Sequence, residues 1–393
     1  MPDFQNLEIA FRGKTDADLK VTYQLFKMMN NAALVKAGKP MIHFAFALHL
    51  PIQGIIRKTI YKHFVGGTSI EDCADTMRSL SEKGVGTILD YALEGEEEDA
   101  LFDATTQEVI RTIDYASTHR ESIPFSAFKI TGVGRFDLLV KVSDGAALTP
   151  EEAAEYQRLH DRADAIFKRG YELGVPVLID AEHSWIQPML DDLVIEMSRK
   201  YNKGKAIVQN TYQMYRHDSL ERLKAHHQLM KAEGLQFGLK IVRGAYMEVE
   251  RARAAQMGYP SPIQPDKEAT DRDYDAAIHY LLDNGDTIDF MAATHNREST
   301  ALLARLLQER GLKEKAANVY FAQLYGMSDN LTYNLADAGY HVVKYVPYGA
   351  VKTMMPYLLR RAEENSSVKG QSSRELLLIK EEIKRRRRER AVS

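Results

Sequence analysis

The stretch YLLRRAEEN at residues 357–365 sets Arg360 and Arg361 side by side and follows them with Glu363 and Glu364. Guanidinium is always charged and its planar fork matches a carboxylate or phosphate, so a fixed pair can clamp an acidic ligand. The plainer reading is a solvated helix face, on which Glu364 pairs with Arg360 at i,i+4 and with Arg361 at i,i+3, each for about a few tenths of a kcal/mol. Other reactive side chains close short apolar runs: Asp90 and Glu94, Lys129, Asp180 and Glu182, Gln209 and Gln213, Lys240 and Arg243 before Gly244, Thr294 and His295, Gln323 and Tyr325, and Lys344, Tyr345 and Tyr348. Any one of them can be a strand surfacing into solvent. Together they supply acids, cations, amides and phenols to one place, provided the fold gathers the ends of those runs.

The elements that must do so follow from periodicity. Residues 1 to about 83 read as helices only, with Leu19, Tyr23, Leu25, Phe26 and Met29 at helical spacing. From Thr87 onward, short runs of strand character alternate with long amphipathic segments: TILDYALEG, SAFKITG, VPVLIDAE, KAIVQNTY, LKIVRGAY, IDFMAATHN, NVYFAQLYG and HVVKYVPYG. Between them lie helical stretches such as 149–170 and 218–234, closed by Gly170, Gly204, Gly234 or Gly311. Strand and helix alternating in this way predict a parallel (β/α)8 barrel, whose functional groups gather at the carboxyl ends of the strands. An open doubly wound sheet competes, but no strand is followed by G-x-G-x-x-G, and neither a Walker A loop nor a fixed textual repeat occurs. VKTMMPYLLRRAEEN directly follows the last strand and is the eighth helix. Its arginines come within reach of the strand ends if that helix lies over the barrel mouth.

Composition narrows the function. The 393 residues are 45% hydrophobic and 27% charged, enough for a large core. Lys plus Arg total 52 against 55 for Asp plus Glu, so a net charge of −3 offers no broad basic field for nucleic acid. A single cysteine, Cys73, excludes a disulfide framework and a cysteine zinc cluster. His43, His49, His226 and His227 lack metal spacing with carboxylates and read as packing or solvent residues. The amino terminus has charges throughout and no signal-peptide core, which predicts a cytoplasmic protein. The apolar window at 41–56 is shorter than a membrane span and reads as buried helix, with surface attachment to a membrane as the alternative. IKEEIKRRRRER at 379–390 reads as an exposed helical tail, with contact between Arg385 to Arg388 and anionic lipid at the inner face of the membrane as the alternative.

From FVGG at 64–67 through LDYALEG, AFKITG, IDAE, TYQMY, KIVRGAY, ATHN and QLYGM to YVPYG and YLLRRAEEN, the chain resembles the proline dehydrogenases. VRGAY and YLLRRAEEN, in order and at the right strands, are the most specific parts. The resemblance implies a distorted (β/α)8 barrel at 84–366 with its last helix over the mouth, a helical region at 1–83 packed on it, and a charged tail at 367–393. It implies noncovalent FAD, oxidation of L-proline to Δ1-pyrroline-5-carboxylate by hydride transfer from C5 to flavin N5, and a quinone acceptor. Lys129, Arg360 and Arg361 match the carboxylate clamp, with Glu364 holding the guanidinium groups. Tyr246, Tyr345 and Tyr357 match the aromatic substrate wall, and Asp180 matches the active-site acid. Ala181, Gln213, Arg243, Gly244, Ala245, Thr294 and His295 match flavin positions. Lys240 stands where many bacterial relatives carry arginine, so a point charge replaces a planar fork beside the flavin. Tyr345 occupies a position that looks small and polar in relatives preferring hydroxyproline. Two alternatives on the same barrel are a Schiff-base aldolase using Lys129, with Asp180 as acid or base, and a hydroxyproline dehydrogenase.

Overall fold

The computed structural model describes residues 1–31, 33–38, 40, 52–91, 98–367 and 371–392. Glu94, His43, His49 and most of the apolar window at 41–56 therefore lie outside the described residues. Eight parallel strands, β1 (Val85–Tyr91), β2 (Phe125–Lys129), β3 (Val177–Asp180), β4 (Val208–Gln213), β5 (Phe237–Val242), β6 (Ile288–Ala293), β7 (Val319–Leu324) and β8 (Val342–Tyr348), form a closed barrel in sequence order. β1 closes on β8 in a register that runs from Val85 opposite Val342 to Tyr91 opposite Tyr348. The runs are apolar on both faces because helices cover the outside and side chains fill the inside. Ile88, Phe125, Ala127, Leu178, Met291, Ala322, Val343 and Tyr345 form a cluster of their own, the filling of the barrel.

Local signals set the helix ends. Thr149 and Glu152 exchange side-chain and backbone hydrogen bonds of 3.2 and 3.0 Å in a capping box before Pro150, which starts the helix Pro150–Leu173. That helix ends at Gly174, at φ 65°, rather than at Gly170 as the sequence suggested. Gly170 is inside the helix, where a Cβ would lie 2.7 Å from Val177 and 2.8 Å from the Val175 carbonyl, so the glycine serves close packing on the sheet.

The helix Met355–Ser367 follows β8 and turns a stripe of Tyr357, Leu358, Arg361 and Ala362 inward at i, i+1, i+4 and i+5. Arg361 is 7% exposed, which rejects the solvated-face reading for that residue. The carboxyl-terminal helix Gln371–Val392 is docked, contrary to the expected exposed tail: Ile379 and Glu382 are 1% and 0% exposed. Its Arg386 bonds the carbonyls of Phe11 and Lys14 and pairs with Asp16 at 3.1 Å, while Glu382 takes both Arg385 and Arg386. Arg385 and Arg386 are thus paired within the fold, while Arg387 and Arg388 are exposed. Among the described residues no helix is long and apolar enough to cross a membrane.

Candidate active site at the carboxyl ends of the strands

Register places the first pair. Lys129 ends β2 and Asp180 ends β3, and the two are direct partners across the ladder. The Lys129 amine lies 3.4 Å from Asp90 Oδ2 at the end of β1 and 4.0 Å from Asp180 Oδ2. From the opposite side of the barrel, Lys240 of β5 donates to Asp180 Oδ1 at 2.5 Å and to the Tyr345 hydroxyl at 2.7 Å. Tyr345 of β8 donates in turn to Asp180 Oδ1 at 3.3 Å, and its ring centre is 4.3 Å from the Lys240 nitrogen. Three residues from three strands thus converge on one carboxylate. Burial alone would push the Asp180 carboxyl up, but Lys240 and then Lys129 outweigh it and hold it below its ordinary value. Burial, then Asp180 and Asp90, push the Tyr345 phenol far up, so it stays a donor.

The helix Met355–Ser367 closes this cluster from above. Arg361 donates to Glu364 at 2.6 Å and lies 5.1 Å over the Tyr357 ring. The Tyr357 phenol is pushed up to about 12 by burial, and it feels Arg361 and Glu364 on its own helix and Asp90 and Lys129 below. Its hydroxyl is buried with no hydrogen-bond partner among the described residues, an arrangement that costs about 1–3 kcal/mol unless a ligand or water supplies one. Arg360 is half-buried and close enough to Glu364 to act on its charge.

A second group lines the ends of β3 to β6. Gln213 is buried and donates to the Glu182 carbonyl at 2.8 Å, while the Glu182 carboxylate accepts from Thr131 Oγ1 at 2.7 Å. Arg243 donates to Asp271, Thr294 Oγ1 and Ser299 Oγ at 2.7, 2.6 and 2.9 Å and sits 4.4 Å over Tyr274. His295 Nδ1 is 2.9 Å from Ser328 Oγ. Burial, then Lys344, Arg361 and Arg243, push His295 down to about 3, so the imidazole is neutral at pH 7. Gly244 and Ala245 are exposed backbone just after β5, and Gly244 at φ 130° faces the Tyr215 ring, 2.5 Å from where a Cβ would lie. Only glycine fits there. Ala181 is half-buried after β3, and the Tyr246 ring is 4.6 Å from His183, which stacks on Trp185 at 4.3 Å.

The residues nominated for the clamp, the aromatic wall and the flavin therefore fall on the carboxyl-end side or on the covering helix, whereas Gln209, the second residue of β4 and a donor to the Ala206 carbonyl, lies at the amino end. Asp90, noted only as a strand end, proves to be a partner of Lys129; its place at the end of β1 was the available signal. Lys344 was grouped with the mouth residues but belongs elsewhere. Neighbouring residues of a strand point to opposite faces, so with Tyr345 inside the barrel Lys344 must point out. It is fully buried there, 3.1 Å from Asp329 Oδ1. Among the described residues no group of three or more His, Cys, Asp or Glu side chains could hold a metal ion.

A closed (β/α)8 barrel with lysines and a tyrosine gathered on an acid at its mouth, under a helix that carries an arginine pair, has the architecture of a barrel enzyme. Residues 73–374 match the family model described as Proline dehydrogenase. The chain belongs to the proline dehydrogenase family. It is 31% identical to proline dehydrogenase 1, mitochondrial, of Dictyostelium discoideum, covering 95% of this chain and 73% of that protein. It is 34% identical to the carbapenem antibiotics biosynthesis protein CarD of Pectobacterium carotovorum, covering 85% and 86%. The human mitochondrial proline dehydrogenase 1 is 42% identical over 243 residues, 61% of this chain and 40% of that protein. Among solved structures, proline utilization A from Bdellovibrio bacteriovorus superposes with a TM-score of 0.73 at 20% identity, covering 94% of this chain and 42% of its own. That likeness speaks to the fold.

Proposed function

We propose that the chain is an FAD-dependent dehydrogenase that oxidises L-proline to Δ1-pyrroline-5-carboxylate and passes the electrons to a quinone. The observation that carries it is the cluster of cations at the mouth. Lys129 and Lys240 meet on Asp180 beneath a helix that carries Arg360 and Arg361, and the buried Tyr357 hydroxyl of that helix has no hydrogen-bond partner among the described residues. A carboxylate bound among these cations can accept from them and from that hydroxyl.

The residues present fit a noncovalent flavin. Gln213, Arg243, Thr294 and His295 are donors on successive strand ends, and the backbone at Gly244 and Ala245 beside them is exposed. When bound, FAD supplies the acceptor for the hydride that leaves proline C5.

The chain's own part is binding and orientation. Lys129 and Arg361 take the substrate carboxylate, and Glu364 holds the Arg361 guanidinium at its fork. Asp180, held ionised by two lysines, is a weak base; its work is to fix Lys129, Lys240 and the Tyr345 hydroxyl in one geometry. Tyr345 and Tyr357 wall the pyrrolidine ring and exclude water. Loss of hydride from C5 and of the proton from nitrogen leaves the C=N bond of the product. The test is anaerobic addition of L-proline to the purified, FAD-loaded protein. Bleaching of the yellow absorption, followed by its return with a soluble quinone and not with NAD, supports the assignment. Oxidised flavin that persists at saturating proline contradicts it.

A further inference from the structure

Four consecutive residues after β7 are held by side chains from distant parts of the chain. The Gly326 carbonyl accepts from His63 Nε2 at 2.8 Å. The Met327 carbonyl accepts from the buried Lys344 of β8. The Ser328 amide donates to Glu375 Oε1 at 2.8 Å. Asp329 pairs with Lys14 at 2.8 Å and with Lys344 at 3.1 Å. The grip has an evident object: Ser328, at φ 52°, is the one non-glycine residue with positive φ among the described residues. A serine in that region is uncommon and persists only where its surroundings impose it. The hydroxyl so placed lies 2.9 Å from His295 Nδ1.

We propose that Glu375, on the carboxyl-terminal helix and beyond the family match at 73–374, is a positioning residue for the cofactor site, holding Ser328 so that Ser328 orients the His295 ring. This rests on the reading that His295 contacts FAD. Glu375 is 7% exposed, and its nearest charges are Asp329, Lys344 and Lys14, so a carboxyl oxygen is available to the Ser328 amide in either protonation state. The carboxyl-terminal helix, which looks like a solvated appendage in the sequence, becomes a brace for the flavin side of the barrel. Lys14 brings the amino-terminal region into the same brace.

The experiment is FAD titration of the deflavinated protein, followed by quenching of flavin fluorescence. Glu375→Ala should weaken FAD roughly tenfold, the effect of losing one hydrogen bond to a charged group. His295→Ala should weaken it too, and the double variant should be no weaker than His295→Ala alone, because the two residues act in series. Glu375→Gln, which keeps an acceptor oxygen for the Ser328 amide, should retain most of the affinity. Ser328→Gly keeps the amide and relieves the left-handed backbone but loses the hydroxyl; it should weaken FAD without lowering the unfolding temperature of the flavin-free protein. Unchanged FAD affinity in Glu375→Ala or Ser328→Gly, beside a weakened His295→Ala, overturns the inference alone. So do additive losses in the double variant. Unchanged affinity in His295→Ala overturns the reading of His295 and the inference with it.

Discussion

Two buried clusters of lysine and carboxylate sit on the same barrel and differ in what they leave over. Inside the mouth, Lys129 and Lys240 flank Asp180 with Asp90 beside them, and Arg361 covers them. On the outer face of β8, Lys344 and Lys14 flank Asp329 with Glu375 nearby. The outer cluster is balanced in charge, and Lys344 also donates to the Leu324 and Met327 carbonyls, so its donors are spent within the chain. The inner cluster lies below the Tyr357 hydroxyl, which has no hydrogen-bond partner among the described residues. Residue types are nearly the same. On the function proposed above, the outer cluster is structural and the inner one takes the substrate carboxylate. Strand alternation divides them, since Lys344 and Tyr345 are neighbours in sequence and point to opposite faces.

The largest effect that sharpens this contrast is on stability. Asp180→Ala and Asp329→Ala each strand two lysines without their shared carboxylate, and each should cost about 3–5 kcal/mol in urea unfolding. The proline KM of the protein that still folds should separate them, rising in Asp180→Ala and holding in Asp329→Ala. An equal rise in both would merge the two clusters.

Next in size is substrate choice. The Tyr345 hydroxyl is tied to Lys240 and Asp180, so the ring cannot step aside for a substituent on the pyrrolidine. Displacing it, or leaving an added hydroxyl without a partner, costs about 1–3 kcal/mol. Proline should therefore exceed trans-4-hydroxyproline in kcat/KM by roughly tenfold to a hundredfold. Tyr345→Ser should narrow that ratio mainly by losing activity on proline. Similar kcat/KM for the two substrates in the unmutated protein would remove Tyr345 as the gate.

The smallest effect is a slope. His63, beside the outer cluster, is pushed down to about 3 by burial and then by Lys14. Its folded pKa is below its unfolded value, so the unfolded chain takes up the proton first. The stability it contributes is present above pH 6.5 and is lost as pH falls from there toward 3. One such proton changes stability by about 1.4 kcal/mol per pH unit. His63→Gln should flatten the urea-unfolding profile between pH 6 and pH 4 by up to that amount. An unaltered slope would mean that His63 titrates alike in both states.

The barrel was legible because parallel strands covered on both faces read as apolar runs, and the mouth was legible because those runs end in polar residues that solvent alone does not explain. Lys344 was misplaced because a strand-end reading ignores which face a side chain takes, although a lone lysine within HVVKYVPYG requires a buried partner. The partner, Asp329, follows β7, and Lys14 and Glu375 come from the two ends of the chain; no local pattern joins them. The docking of the last helix was hidden for a similar reason. IKEEIKRRRRER carries the charges of a solvated helix, yet Glu382 absorbs Arg385 and Arg386, and Asp16 meets Arg386 from the far end of the sequence. Gly170 read as a helix terminator because close approach to a strand and a left-handed cap both call for glycine.

The central claim, that the inner cluster binds the substrate carboxylate, is tested most directly by comparing L-proline with pyrrolidine as reductants of the flavin in rapid mixing, in the unmutated protein and in Arg361→Met. A charge-assisted contact of about 1.5–3 kcal/mol favours proline by roughly tenfold to a hundredfold for each cation that takes the carboxylate. The account predicts a large preference for proline that shrinks by about that factor in Arg361→Met, with flavin content unchanged. Equal reduction by pyrrolidine and proline, or a preference that Arg361→Met leaves intact, would contradict it.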